Sequence, residues 1–281
     1  MYYLFGYKKL IELVKKASAS KLPVDDIKLL GDDYKNYLNS VSVFENDINW
    51  DEIRLIDYPS LHVYANNHAE KIKVHIKENS EILKNRLRDG FFQEALTKLE
   101  ESNFEIFNLA KLVIKMVLIN NLNSYTNGTT ADTIGLASMD FKDHFNQQDF
   151  IELVVHQMTH MYLFMDDKVF NHCDEEKKEI MIETYDIKFI LGGTQFPLYL
   201  AYHSYIVGVE VLCFREETYG INGDGNYHGK TSRIFKICEL FQKALILNTH
   251  HFSKRGLGIF EKSVNLFESK KKKYPIFANE L

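Results

Sequence analysis

Cysteine is scarce in this chain. There are three, Cys173, Cys213 and Cys238, and no two are spaced as a CxxC pair. Neither a disulfide framework nor a cysteine zinc site is expected, and the thiols read as reduced. An excess of positive charge is also missing: 34 Lys and Arg stand against 39 Asp and Glu, a net charge of −5, which argues against a general nucleic-acid binder. No apolar run approaches the length that crosses a bilayer, and Lys8 and Lys9 interrupt the first ten residues before a signal-peptide core forms. These absences point to a cytoplasmic protein outside the membrane. What is present, 45% hydrophobic and 13% aromatic residues, suffices for a sizeable core and excludes wholesale disorder.

Helical periodicity dominates the pattern. Leu10, Ile11, Leu13 and Val14 form an apolar stripe with lysines opposite, and Asp25-Asp26 open a second helical stretch over 27–38. Residues 48–64 have no clean period and are broken by Pro59, whereas 69–87 and 91–99 read as helices on either side of Asp89-Gly90. His62, His68 and His75 in this half read as surface or capping residues. The apolar run 109–119 carries Lys111 and Lys115 four apart, which favours a helix over a buried strand. A turn at Asn127-Gly128 precedes a strand at 133–138, and Asn146 to Asp149 starts a helix that runs to about Met165, where Asp166-Asp167 end it. After the Gly192-Gly193 break, Pro197 opens a long apolar helix to Phe214. The four glycines of 220–229 mark a loop suited to a mobile lid, and helices over 232–247 and 253–269 follow. The expected fold is mainly α with a small β element (α+β). A helical N-terminal region, 1–106, is followed by a C-terminal metal-binding helical region, 107–281, with no clear linker between them.

One stretch carries chemistry: His156-Gln157-Met158-Thr159-His160. Residues i and i+4 share a helix face, so both imidazoles can point at one metal ion, the spacing of the zincin motif His-Glu-x-x-His. Gln157 stands where that motif has its Glu. A zinc peptidase uses that Glu to take a proton from metal-bound water, and an amide cannot do so at neutral pH. A non-haem Fe(II) oxygenase needs three ligands on one face and open positions, but no carboxylate there. The substitution counts against hydrolysis and is neutral for oxygenation. His203, in the next long apolar helix, is the expected third ligand; Glu210, two turns later, is the alternative, and His172 and Glu183 are weaker candidates.

Four segments, in order, resemble the HExxH-motif peptide-modification proteins, the 2-oxoglutarate-dependent peptide β-hydroxylases of ribosomal natural-product pathways. Residues 108–119 with Thr133-Ile134-Gly135-Leu136-Ala137-Ser138 look like the family's apolar segment, turn and Gly-containing strand. Residues 151–160 look like its "LVHExxH" helix. Pro197-Leu198-Tyr199-Leu200-Ala201-Tyr202-His203 looks like its "RPLGGLLH" segment, with the histidine at the same distance from the proline. Phe252-Ser253-Lys254-Arg255-Gly256-Leu257 resembles its "LTxxG" helix entry. The first hundred residues contribute nothing to the likeness.

The resemblance implies Fe(II) held by His156, His160 and His203, 2-oxoglutarate as co-substrate, and hydroxylation at a side-chain β-carbon of a precursor peptide. Two departures stand out. Gln157 replaces the family's Glu, and the arginine-rich stretch before the proline helix is here Leu191-Gly192-Gly193-Thr194-Gln195-Phe196. If 2-oxoglutarate is bound, Arg215, Arg233 or Arg255 would supply the guanidinium fork that suits a carboxylate, with Arg215 the first choice. The alternatives are a divergent zinc metallopeptidase-like hydrolase with Glu210 as third ligand, and a catalytically silent relative that binds a peptide or partner.

Overall fold

The structure, a computed structural model, describes residues 1–20, 27–41, 52–56, 80–120, 128–183, 195–223 and 225–279. In chain order the elements are α1 (Tyr2–Phe5), α2 (Tyr7–Ala17), α3 (Ile27–Val41), β1 (Arg54–Ile56), α4 (Glu81–Arg88), α5 (Phe91–Ser102), α6 (Phe104–Val113), β2 (Met116–Asn120), β3 (Leu136–Asp140) and α7 (Gln147–Phe170). Then come α8 (Glu175–Lys178), β4 (Met181–Glu183), β5 (Gln195–Pro197), α9 (Leu198–Tyr219), α10 (Thr231–Ile246), α11 (Lys254–Lys273) and α12 (Pro275–Asn279). The protein is mainly helical with a small β component. Among the described residues no helix is long and apolar enough to cross a membrane.

Two compact units emerge, residues 7–165 and residues 1–6 with 166–281, with the division inside α7. In the first unit, α2 buries Leu10, Ile11, Leu13 and Val14 and exposes Lys8 and Lys9, as the apolar stripe requires. Ser80 caps α4 by accepting from Leu83 N, and Asn103 caps α6 by accepting from Ile106 N. β1, β2 and β3 form a parallel sheet with β2 in the middle, Met116 facing both Arg54 and Leu136 in register. Phe92 packs edge-on against Phe141 and Phe150, tying α5 to the residues around β3 and α7.

The sheet corrects one expectation. Residues 109–119 are not one helix: α6 stops at Val113, and Met116 to Ile119 lie in the central strand with no exposed surface. A parallel strand covered on both faces reads as an unbroken apolar run, which by itself does not distinguish strand from helix. Likewise α7 does not end at Asp166-Asp167 but continues to Phe170. The strand expected at 133–138 lies at 136–140. His62, His68, His75, Pro59, Asn127 and Gly192-Gly193 fall outside the described residues.

In the second unit α9 is buried almost all round and packs most extensively against α10. Its Gly208 is the near-contact point, since a Cβ there would lie 2.6 Å from Cys238 Sγ. β4 and β5 pair antiparallel just before α9. Gly256 in the first turn of α11 runs so close to the His172 carbonyl that a Cβ would collide with it.

A candidate metal centre on α7

α7 is set off by reciprocal bonds at its start: Asn146 N donates to Asp149 Oδ2 at 2.8 Å and Asp149 N to Asn146 Oδ1 at 3.0 Å. From Asp149 to Asp166 every residue is buried except three, His156, His160 and Phe164. These are i, i+4 and i+8, one stripe along the helix. The one partly open strip of this helix core is thus occupied by the two imidazoles and a ring that lies nearly parallel to His160, with centroids 6.2 Å apart.

The two rings converge through the same nitrogen, with His156 Nε2 and His160 Nε2 3.2 Å apart. Metal–imidazole bonds of about 2.0–2.1 Å meeting near the tetrahedral angle place two nitrogens roughly 3.3 Å apart, so the pair fits one shared ion. Burial pushes the His160 imidazole down to about 4, which keeps it neutral, the form that ligates. Gln157 is off the stripe and fully buried; among the described residues neither amide atom has a hydrogen-bond partner.

The other expected site residues lie in the second unit. His203 is buried on α9, its ring 4.2 Å from that of Tyr199 and 6.0 Å from that of Tyr202. Glu210, expected as an alternative ligand, is turned to another use. Its carboxylate accepts from Tyr3 N and Leu4 N, each at 3.1 Å, and lies 2.6 Å from the Met1 amino nitrogen. Arg215 is buried, and its guanidinium donates to Gly229 O at 2.8 Å and Thr231 Oγ1 at 3.3 Å. Thr231 in turn donates to Ile221 O at 2.5 Å, so the glycine loop expected as a mobile lid is pinned at both ends. Arg255 forms a fork on Asp166 and stacks over Phe5 and Phe170. Arg233 is exposed on α10. His172 is held by Asp166 at 2.8 Å, and Glu183 ends β4 in register with Gln195. Glu210, Arg215 and Arg255 share one feature: each is a buried or half-buried ionic group bonded to a partner in its own unit.

No protein-family model matches this chain, and no curated protein matches it. The site must stand on its own geometry. Among the described residues, no group of three or more His, Cys, Asp or Glu side chains is placed to hold a metal ion. The histidine pair is the part of the expected centre that the structure brings together. The three cysteines are buried free thiols, Cys173 raised by burial to about 11 and Cys213 to about 12, with no place in the centre.

Two features escaped sequence reasoning. Asp166 anchors a network in the second unit: it receives Arg255 and His172, while Asp167 receives Lys178 at 2.6 Å, Tyr199 at 2.9 Å and the His172 amide at 2.6 Å. Burial raises the Asp166 carboxyl, but the hydrogen bonds from Arg255 and His172 outweigh it and hold it below the usual carboxylate value. The second is Glu152, a buried carboxylate one turn ahead of His156 whose spacing was there to be read.

Proposed function

We propose that this protein is a non-haem Fe(II), 2-oxoglutarate-dependent oxygenase that hydroxylates a side-chain β-carbon of a peptide, with a ribosomally made precursor as the substrate class. The observation that carries the metal is the convergence of His156 Nε2 and His160 Nε2 on the one partly open strip of α7. His203 enters as third ligand from the family resemblance. Bound iron would supply oxidation of a C–H bond by O2, one oxygen entering the peptide and the other the succinate formed as 2-oxoglutarate loses CO2.

The chain's own groups favour oxygenation over hydrolysis. His160 stays neutral and available as a ligand, while Gln157 cannot accept the proton of a metal-bound water. A zinc peptidase with Glu210 as ligand would have to break the three contacts this carboxylate makes to residues 1–4. Of the three arginines considered for the co-substrate, Arg215 is buried, Arg255 half-buried and Arg233 exposed. The reduced, buried thiols suit a cytoplasmic setting.

A second reading has one observation in its favour. The internal bonds of Arg215 and Arg255 suit a relative that keeps the fold to bind a peptide without oxidising it. One experiment separates the two: anaerobic reconstitution with Fe(II), iron analysis, and succinate release with and without peptide. The oxygenase should hold about one iron, lose it in His160→Ala, and release succinate. Absence of iron from the wild type, or equal iron in His160→Ala, defeats the metal reading; iron without succinate defeats the co-substrate. Peptide affinity that survives removal of His156, His160 and His203 would favour the binding relative.

A further inference from the structure

The buried polar or charged side chains along α7 are Asp149, Glu152, Gln157, Thr159 and Asp166. Asp149 closes the helix start with Asn146, and Glu152 accepts from Gln148 Nε2 at 2.9 Å. Thr159 Oγ1 donates to Val155 O at 2.8 Å, and Asp166 holds Arg255 and His172. Gln157 is the exception. It has no exposed surface, and among the described residues neither its Nε2 nor its Oε1 meets a hydrogen-bond partner. A buried amide unpaired on both atoms lowers stability, and Leu or Met would occupy the position without that loss. A protein that retains such a group points to a ligand that completes it. Gln157 also stands beside the histidine pair. At about 100° per residue it lies about 60° round α7 from His160, and residues three apart are neighbours on a helix surface.

The chemistry of the ligand follows from what the amide lacks. Oε1 requires a donor and Nε2–H an acceptor, and a primary carboxamide offers both side by side in one plane. A charged ligand is disfavoured. One turn away on α7 stand Leu153, Val154, His160 and Met161, none of them a fixed charge, and burial keeps His160 neutral. A main-chain peptide group does not fit, because a trans peptide turns its N–H and C=O to opposite sides. We propose that Gln157 is a specificity-determining residue that pairs edge to edge with a primary carboxamide, Nε2–H donating to the ligand carbonyl and Oε1 accepting the ligand N–H. In the peptide substrate proposed above, that carboxamide is an Asn or Gln side chain brought next to the histidine pair. This last step rests on the peptide reading; the amide pair itself does not.

Titration with acetamide of the metal-free full chain, labelled with 15N-glutamine and 15N-histidine, tests this. The controls are N-methylacetamide, which in its trans form lacks the N–H beside the carbonyl, and acetate, which lacks any donor. Acetamide should move the Gln157 side-chain NH2 resonances and the His160 ring resonances along one saturating curve. Neither control should do so at the same concentrations. Gln157→Leu should remove the His160 response and lower the unfolding equilibrium constant about tenfold, since it deletes the unpaired amide. Absence of a response to acetamide overturns the proposal, as does an equal response to either control or a His160 response that survives in Gln157→Leu. Destabilisation of both Gln157→Leu and Gln157→Met overturns it too, because the amide would then already be paired in the free protein. The wild-type titration needs no variant, so a misfolding variant does not shield the proposal. These readouts use no metal. Failure to bind iron would defeat the metal reading and leave the carboxamide site standing, and silence towards acetamide would do the reverse.

Discussion

At the scale of single residues, His160 couples the site to pH. Its imidazole is held neutral down to about 4 by burial, against 6.5 in an unfolded chain. Between those values the unfolded state binds the extra proton and the folded state does not, so folding loses stability as pH falls from 6.5 towards 4. Above 6.5 the contribution is complete. Urea midpoints at pH 7.5 and 4.5 should therefore differ more for the wild type than for His160→Gln; an identical response would remove His160 as the source. The pair itself was legible, because i, i+4 spacing needs only a helix. Asp166 was not: an Asp-Asp step reads as a helix stop until Arg255, 89 positions away, is seen to bond it. Removing that fork by Arg255→Ala leaves a buried carboxylate short of donors. It should cost about 3 kcal/mol, the lower end for a broken buried pair since Arg255 itself is partly exposed.

Elements show the same divide. The amphipathic helices were readable because one wet face imposes the 3.6-residue period. β2 was not, since burial on both faces erases the alternation that marks a strand, and its neighbours in the sheet are supplied by distant segments. α9 and α10 add a contact that no single-helix pattern contains. Gly208 lets Cys238 approach, and Gly208→Ala would place a methyl 2.6 Å from that sulfur. Overpacking of this kind should cost about 2 kcal/mol. Cys238→Ala removes the obstructing atom, so the double variant should recover at least half of that loss relative to Cys238→Ala alone. Simple additivity in denaturant titrations would mean that α9 and α10 do not meet through this pair.

For the whole molecule, the structure divides the chain at residue 165, with residues 1–6 joined to the second unit. Composition could not show this, because the tie joins Glu210, Glu217 and Arg255 to residues more than two hundred positions earlier. That tie provides a test of the division. Replacing Glu210 by Ala strands the Tyr3 and Leu4 amides and the Met1 amino group that face it in a buried position. The expected loss is about 3 kcal/mol, the scale of a broken buried ion pair, and every 1.4 kcal/mol is tenfold. If each unit opens as its own cooperative block, amide exchange should therefore accelerate about a hundredfold in α1 and α9–α11, while β1–β3 and α5 keep wild-type protection. Equal acceleration in the β1–β3 sheet would show that the chain opens as one block, and the two-unit division would then describe contacts without describing stability. Because the histidine pair lies in the first unit, the same variant should leave its Nε2 contact and any Co(II) affinity due to that pair alone unchanged.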